Sequence, residues 1–401
     1  MSRKTRPTGA LVLVLAATLT LGVAVEPSWA DDYPTWAEVQ AAKHNEAAKR
    51  AQIAKIEALI SGLETEAALY AKAALEANEA YNQALDALDL AKREAANLQI
   101  RANRAARAAK RSSTQAGELI IELARTREED FTLRLLTAEE NEADNLLYSI
   151  GAMNRLSVQS ERIYEQATRD ANLASSLSAK AAVARSARES LAEEAETALE
   201  EAKQASADAE ARAQNQKAVA AELFAQLASL KGTTAATEQA YLDGLAWEAA
   251  QAAVTNPPPP PPPVNPTPPP PNTDAVAGAI AFARAQVGDA YQLNGAGPDA
   301  WDCSGLTRAS YSSVGVYIGT HSATNQYATM AAAGRLVPFN DLVAGDLLFY
   351  SNGGATGGTK YHVTLYIGAG QMIEAPYPGV PVRVAAIRYG DLVPYAGRPT
   401  P

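Results

Sequence analysis

The chain has one cysteine and three histidines in 401 residues, and no proline between Pro34 and Pro257. Each scarcity excludes something. A lone cysteine, Cys303, rules out an intramolecular disulfide framework and any cysteine-rich zinc site. With 35 Lys and Arg against 45 Asp and Glu the formal charge is −10, and no basic stripe is present, which argues against nucleic acid as a partner. No motif for a metal or a cofactor appears. The long absence of proline removes the commonest helix breaker and permits very long helices.

The first thirty residues read as a targeting segment. Arg3, Lys4 and Arg6 form a positive start, Ala10 to Val25 is an apolar run too short for a comfortable membrane span, and Ser28-Trp29-Ala30 offers small residues at the −3 and −1 positions of a cleavage site. Residues 1–30 are therefore predicted to be a signal peptide cleaved after Ala30, which makes the mature chain secreted or extracytoplasmic. No cysteine follows the apolar run to carry a lipid anchor.

Residues 31–255 are rich in Ala, Glu, Lys, Arg, Gln and Leu, the strong helix formers. Apolar residues recur at alternating spacings of three and four from Ile53, Ile56, Ile60, Leu63, Ala67 and Tyr70 to Ala102, Ala105 and Ala109. That seam predicts a left-handed coiled coil, long and only modestly stable, because alanine buries little area. The first helix is expected to weaken near Arg111–Thr114 and Gly117. A lobe denser in large apolar residues, about 113–157, would then form the tip of an antiparallel hairpin. A second arm is expected from about Gln159 to Leu230, each arm on the order of 100 Å long at 1.5 Å per residue. Such an arm serves equally as a spacer or as a docking element.

Residues 256–272 carry the proline runs Pro257–Pro263 and Pro268–Pro271, a semi-rigid polyproline II spacer. Residues 273–401 differ in composition, with more Gly, Tyr and Val. Thr273 or Asp274 is expected to cap a helix running through Val287, and a helix is expected from Ser304 to Ser313. Another should run from about Ser322 to Ala333. Strands follow at Asp346–Tyr350, His362–Ile367, Gln371–Glu374 and Val382–Ile387. Helices first and an antiparallel sheet after is an α+β layout.

The chemistry concentrates in this last block. Cys303 opens a helix, where free N–H groups and the positive end of the helix dipole favour a thiolate. His362 begins a strand and is the expected base. His321 lies in a loop and reads as a rim or capping residue, and His44 as a solvated residue of the coiled coil.

The block resembles the NlpC family of papain-like cysteine peptidases, which cut cell-wall peptides. The resemblance covers about Ala275 to Tyr395 and rests on Asp302-Cys303-Ser304-Gly305-Leu306, Gly345-Asp346-Leu347-Leu348-Phe349-Tyr350, His362-Val363-Thr364-Leu365-Tyr366-Ile367-Gly368 and Met372-Ile373-Glu374-Ala375-Pro376. It implies Cys303 as nucleophile, His362 as general base and later acid, and Glu374 as the residue that orients the imidazole. It also implies Tyr291 as an oxyanion donor beside the Cys303 N–H, and Asp302 and Ser304 as contacts for charged groups of the substrate. Where the family often has Trp-Gly-Gly, this chain has Leu293-Asn294-Gly295, so its cleft wall differs there. The implied activity is secreted hydrolysis of peptidoglycan stem peptides, typically at the γ-D-glutamyl–diamino acid bond, in wall remodelling or cell separation. The implied partner of the coiled coil is a membrane division complex, and the hairpin is also placed to cover the cleft. A non-catalytic wall or division adaptor, and an amidase or transpeptidase on the same fold, are the alternatives. The expected architecture is thus multidomain: an all-α antiparallel coiled-coil hairpin plus an α+β papain-like domain.

Overall fold

The computed structural model describes residues 33–126, 143–255 and 271–400. The expected signal peptide, most of the proline spacer and residues 127–142 of the expected lobe lie outside the described residues. Helix α1 (Trp36–Ala42) starts at a capping box in which Thr35 accepts from the Glu38 N–H and the Glu38 carboxylate returns to the Thr35 N–H. Helix α2 (Glu46–Thr126) has 81 residues and α3 (Ala143–Lys231) has 89, about 120 and 135 Å at 1.5 Å per residue.

The two long helices run antiparallel. Ile56 and Ile60 of α2 meet Leu223, Phe224, Leu227 and Leu230 of α3, whereas Ala102 and Ala105 meet Leu177 and Ala181. Residues of the expected seam are the buried ones: Ile56, Ile60, Ala67, Ala74, Leu88, Ala95, Ala102 and Ala105. The weakening expected at Arg111–Gly117 is not there. Helix α2 continues unbroken, with the Ser112 and Thr114 hydroxyls donating back to the Ala108 and Lys110 carbonyls, an arrangement that helices accommodate. The second arm likewise begins at Ala143 rather than near Gln159, so helix occupies both flanks of the expected lobe. Gly232, at φ 73°, ends α3, and Lys231 ties the turn to Glu57 of α2 (2.8 Å) and to Glu238 (3.0 Å) of helix α4 (Ala235–Thr255). Among the described residues no helix is long and apolar enough to cross a membrane.

The C-terminal unit is α+β as expected. Helix α5 (Thr273–Ala285) is capped not by Thr273 or Asp274 but by Asn272, whose side chain accepts from the Asp274 and Ala275 N–H groups. Strands β1 (Ala290–Tyr291) and β2 (Ala300–Trp301) form a short parallel pair that leads into helix α6 (Cys303–Ser312); helix α7 (Ala323–Ala332) follows. Six antiparallel strands complete the unit: β3 (Leu336–Pro338), β4 (Leu347–Tyr350), β5 (His362–Gly368), β6 (Gln371–Glu374), β7 (Arg383–Ala386) and β8 (Tyr395–Gly397), in the spatial order β3-β8-β4-β5-β6-β7.

Alternate residues of each strand enter different cores, as the pleat requires. Leu347, Phe349, Val363, Leu365 and Ile373 pack with Ala279, Ala283, Leu306, Tyr311 and Met330 of the helices. Leu348, Tyr350, Met372, Val337 and Ala396 form the second cluster, which Leu75 of α2 joins. The coiled coil is therefore docked on the α+β unit. Between Ala71 and Asn82 it buries, besides Ala74 of the seam, five residues off it: Ala71, Leu75, Asn78, Glu79 and Asn82.

Candidate active site

Asp302 caps α6 from an extended backbone and sets the position of Cys303. Its Oδ1 accepts from the Gly305 N–H (2.7 Å) and from the Ser304 hydroxyl (3.1 Å), and it also pairs with His321 Nε2 (2.8 Å). Gly305 is required sterically: a Cβ there would stand 2.0 Å from the Gly295 carbonyl oxygen and 2.8 Å from His321 Nε2. Burial alone would raise the Asp302 carboxyl, but the His321 charge and hydrogen bond, the Gly305 N–H and Asn78 outweigh it and hold the group low. His321 is thus not a competing base but the counter-group of a fully buried carboxylate. Ser304 is fully buried too, with its hydroxyl turned to Asp302 and its carbonyl accepting from Gln326 Nε2 (2.9 Å).

The strand pairing explains the second half of the site. Leu365 stands opposite Ile373 and Tyr366 opposite Met372 across β5 and β6, joined through Gly368-Ala369-Gly370 with all three residues at positive φ. His362 and Glu374 then fall diagonally on one face. Their side chains meet at 2.9 Å, Nε2 to Oε2, both buried. His362 Nδ1 is left buried without a hydrogen-bond partner, as is the Tyr291 hydroxyl. Burial lowers the His362 pKa despite Glu374, and the charges of Arg388 and Arg383 lower it further. Glu374 itself is held well below the usual carboxylate range: burial opposes this, but Arg388 and the His362 hydrogen bond prevail.

Cys303 is 2% exposed, and the backbone N–H groups of Val363, the residue after His362, and Ser304 favour its thiolate. The helix N-terminus was expected to favour the thiolate. Instead burial, then the Asp302 charge, and also Glu79, push the thiol well above its ordinary value. Tyr291 sits near the same two groups: burial first, then the charges of Asp302 and Cys303, raise its phenol. The structure therefore gathers Cys303, His362, Glu374, Tyr291, Asp302 and Ser304 in one place. His44 is exposed in the turn between α1 and α2, away from them.

Sequence reasoning missed two groups. One is the pair Arg383 and Arg388 on Glu374. The other comes from the hairpin. Asn78 Nδ2 and Asn82 Nδ2 donate to Asp302 Oδ2 (3.1 and 3.4 Å), and Asn78 Oδ1 accepts from the Asn294 N–H (3.2 Å) in the segment where the chain departs from the family. Glu79 takes the Ser322 hydroxyl (2.7 Å) and the Ala323 and Thr324 N–H groups (2.9 and 3.1 Å) at the N-terminus of α7. Lys72 pairs with Asp391 at 2.7 Å, and Asp86 accepts from the Thr320 hydroxyl. The signal was a polar stripe at helical spacing, Asn78, Glu79, Asn82, Gln83 and Asp86, beside the apolar seam. Among the described residues no group of three or more His, Cys, Asp or Glu is arranged to hold a metal.

The match to known proteins is consistent with this geometry. Residues 288–393 match the NlpC/P60 family. Peptidoglycan endopeptidase RipB of Mycobacterium tuberculosis is 33% identical over 190 residues, covering 43% of this chain and 75% of RipB. The chain belongs to the NlpC/P60 family. Peptidoglycan endopeptidase RipA of the same organism is 40% identical over 105 residues, 26% of this chain and 20% of RipA, so the chain matches about a fifth of that relative's length. Among solved structures, the peptidoglycan hydrolase RipB of M. tuberculosis shares 34% identity over 32% of this chain and 66% of its own, at a TM-score of 0.28. The P60 domain of an M. avium subspecies paratuberculosis antigen shares 32% over 32% and 97%, also at 0.28. The homologues of this NlpC/P60 chain are thus cell-wall endopeptidases.

Proposed function

We propose that the chain is a cysteine endopeptidase that hydrolyses peptidoglycan stem peptides, at the γ-D-glutamyl–diamino acid bond. Residues 273–401 form the catalytic unit, and the hairpin in 31–255 is a cover that must lift. The observation that carries the catalytic reading is the His362 ring: Nε2 is committed to Glu374 at 2.9 Å, Nδ1 is buried without a hydrogen-bond partner, and the N–H of the next residue, Val363, favours the Cys303 thiolate. In this reading His362 Nδ1 takes the thiol proton as Cys303 attacks the carbonyl. The oxyanion is stabilised by the Cys303 N–H and the Tyr291 hydroxyl. His362 then returns the proton to the leaving amine and activates water against the acyl-enzyme, while the Glu374 carboxylate keeps the imidazole in register. The relatives named peptidoglycan endopeptidases support the substrate class.

The observation that supports the cover is Cys303 at 2% exposure beneath Asn78, Glu79 and Asn82. A membrane division complex is the partner expected to lift the hairpin, on the outer side of the membrane after cleavage behind Ala30. Mass spectrometry of purified peptidoglycan digested with wild type and with Cys303→Ala tests the catalytic reading. Fragments beginning at the diamino acid, with wild type only, are expected. Equal product from both proteins would refute it, and no product from either, with the hairpin released, would favour the adaptor.

A further inference from the structure

Glu374 has more cationic company than an orienting carboxylate needs. Its Oε2 meets His362 Nε2 at 2.9 Å and Arg388 Nη2 at 2.7 Å, and its Oε1 accepts from Arg388 Nη1 at 2.8 Å and Arg383 Nε at 3.0 Å. Arg388 therefore holds both oxygens in the two-pronged geometry that a guanidinium forms and a lysine does not. Arg383 is the direct cross-strand neighbour of Glu374 on β7. Arg388 stacks over the Tyr350 ring at 5.2 Å, and the other neighbour of that ring is His362, with centroids 5.6 Å apart. Histidine, carboxylate, guanidinium and phenol thus close into one cluster. The carboxylate is fully buried, while the arginines reach it from the rim with side chains 46% and 41% exposed.

We propose that Arg388, seconded by Arg383, is a positioning residue of the reaction. It fixes the plane of the Glu374 carboxylate and keeps it charged, so that Glu374 accepts the His362 Nε2 hydrogen without taking the proton. This rests on the reading of Cys303, His362 and Glu374 as the catalytic set. The charged and titratable groups facing the pair are Arg383 and Arg388 from β7 and the turn after it, and Tyr350 from β4; Tyr361 faces Arg388. Two cations against one carboxylate leave the cluster positive, which makes the imidazolium easier to deprotonate. Arg388 thereby keeps His362 neutral, and able to act as a base, further down the pH scale, and so sets the lower end of the working pH range as well as the geometry.

The test uses the full chain and reads kcat, KM and the pH profile of kcat/KM on purified peptidoglycan. Iodoacetamide alkylation is followed in parallel, and since Cys303 is the only cysteine it reports that thiol alone. For Arg388→Gln the acid limb should move up by about one pH unit, because a nearby cation is removed and His362 protonates at higher pH. Its kcat should fall on the order of tenfold to a hundredfold from the loosened geometry, at unchanged KM. Arg388→Lys keeps the charge but loses the fork, so the limb should stay while kcat still falls. Arg383→Gln should shift the limb in the same direction by less, and it serves where Arg388→Gln fails to fold. An unmoved limb in both Gln variants, with activity falling only as the folded fraction falls, overturns the proposal. Hydrolysis that survives Cys303→Ala overturns the endopeptidase reading instead, and the alkylation profile of Cys303 then decides the arginines separately: a shift in Arg388→Gln upholds them and none removes them.

Discussion

Glu79→Lys is the substitution that should open the molecule. Glu79 is 2% exposed and accepts three hydrogen bonds at the N-terminus of α7, from the Ser322 hydroxyl at 2.7 Å and from the Ala323 and Thr324 N–H groups at 2.9 and 3.1 Å. Hydrogen bonds to a charged group contribute about 1.5–3 kcal/mol each before its burial is set against them, and a lysine would bring a cation to the positive end of the helix. A net loss of about 3 kcal/mol from the closed state raises the open population by a factor of roughly 150. The hairpin stays attached otherwise, since Lys72–Asp391, Leu75 and the two asparagines are untouched. Iodoacetamide alkylation followed by intact mass gives the open fraction directly, because the lone Cys303 takes the only adduct. Glu94→Lys, at an exposed position of the same helix, should alkylate like wild type. If Glu79→Lys also alkylates at the wild-type rate, with unchanged circular dichroism and Tm, the hairpin is not the cover and the reasoning fails.

Closure should loosen as pH rises above 4.5. Burial raises the Glu79 pKa in the closed state above its ordinary 4.5, so its contribution is complete below that value and is lost as pH climbs through the raised one. The opposing carboxylate, Asp391, is lowered from 3.8, so its contribution is complete above that pH and is lost only as pH falls below it, outside this window. The alkylation rate of wild type divided by that of Glu79→Lys, which cancels the thiol's own titration, should therefore increase through this window, and a flat ratio would refute the account. Tyr291→Phe should leave Tm unchanged or higher, because the deleted hydroxyl is buried without a partner, yet lower kcat by about tenfold to a hundredfold, read by peptidoglycan digestion. Gly305→Ala should destabilise the α+β unit and abolish activity, because the added Cβ meets backbone at 2.0 Å; a wild-type Tm would show that the Gly295 turn yields freely.

What was legible in the sequence was local. Gly368-Ala369-Gly370 between two alternating runs is a turn that fixes the register of His362 and Glu374, so that pair was readable from spacing, whereas Asp302, expected only as a substrate contact, proved to be the cap of the Cys303 helix. The coiled-coil seam was readable from its period. Strands β3 and β8, three residues each, were not, because neither has an alternation of its own and each is defined by pairing across some sixty residues. Helix α2 runs through Arg111–Gly117 because backbone-directed hydroxyls let Ser112 and Thr114 stay helical, a competition that composition alone misjudges. Arg388 and the stripe from Asn78 to Asp86 were illegible for a deeper reason. Their partners are chosen by how separate elements dock, and a polar stripe on a long helix reads the same whether it faces water or a buried aspartate.

That docking also bears on the thiol, the one group whose charge state ran against expectation. A helix N-terminus should favour thiolate, and the Val363 and Ser304 N–H groups favour it too, yet the closed chain raises the thiol through burial, Asp302 and Glu79. Of these three causes, Asp302 belongs to the α+β unit and is balanced there by His321. Glu79 and part of the burial belong to the hairpin. In the proposed opening, lifting α2 would remove both at once while leaving the α6 dipole and His362 in place. It also strips Asn78 and Asn82 from Asp302 Oδ2 and vacates the α7 N-terminus, so polar groups that the hairpin satisfied become available to a peptide. Access to the cleft and activation of its nucleophile are then a single event. A cover that only blocked entry would leave the helix N-terminus free to favour thiolate beneath it, whereas in the proposed closed state burial and the charges of Asp302 and Glu79 together disfavour the thiolate.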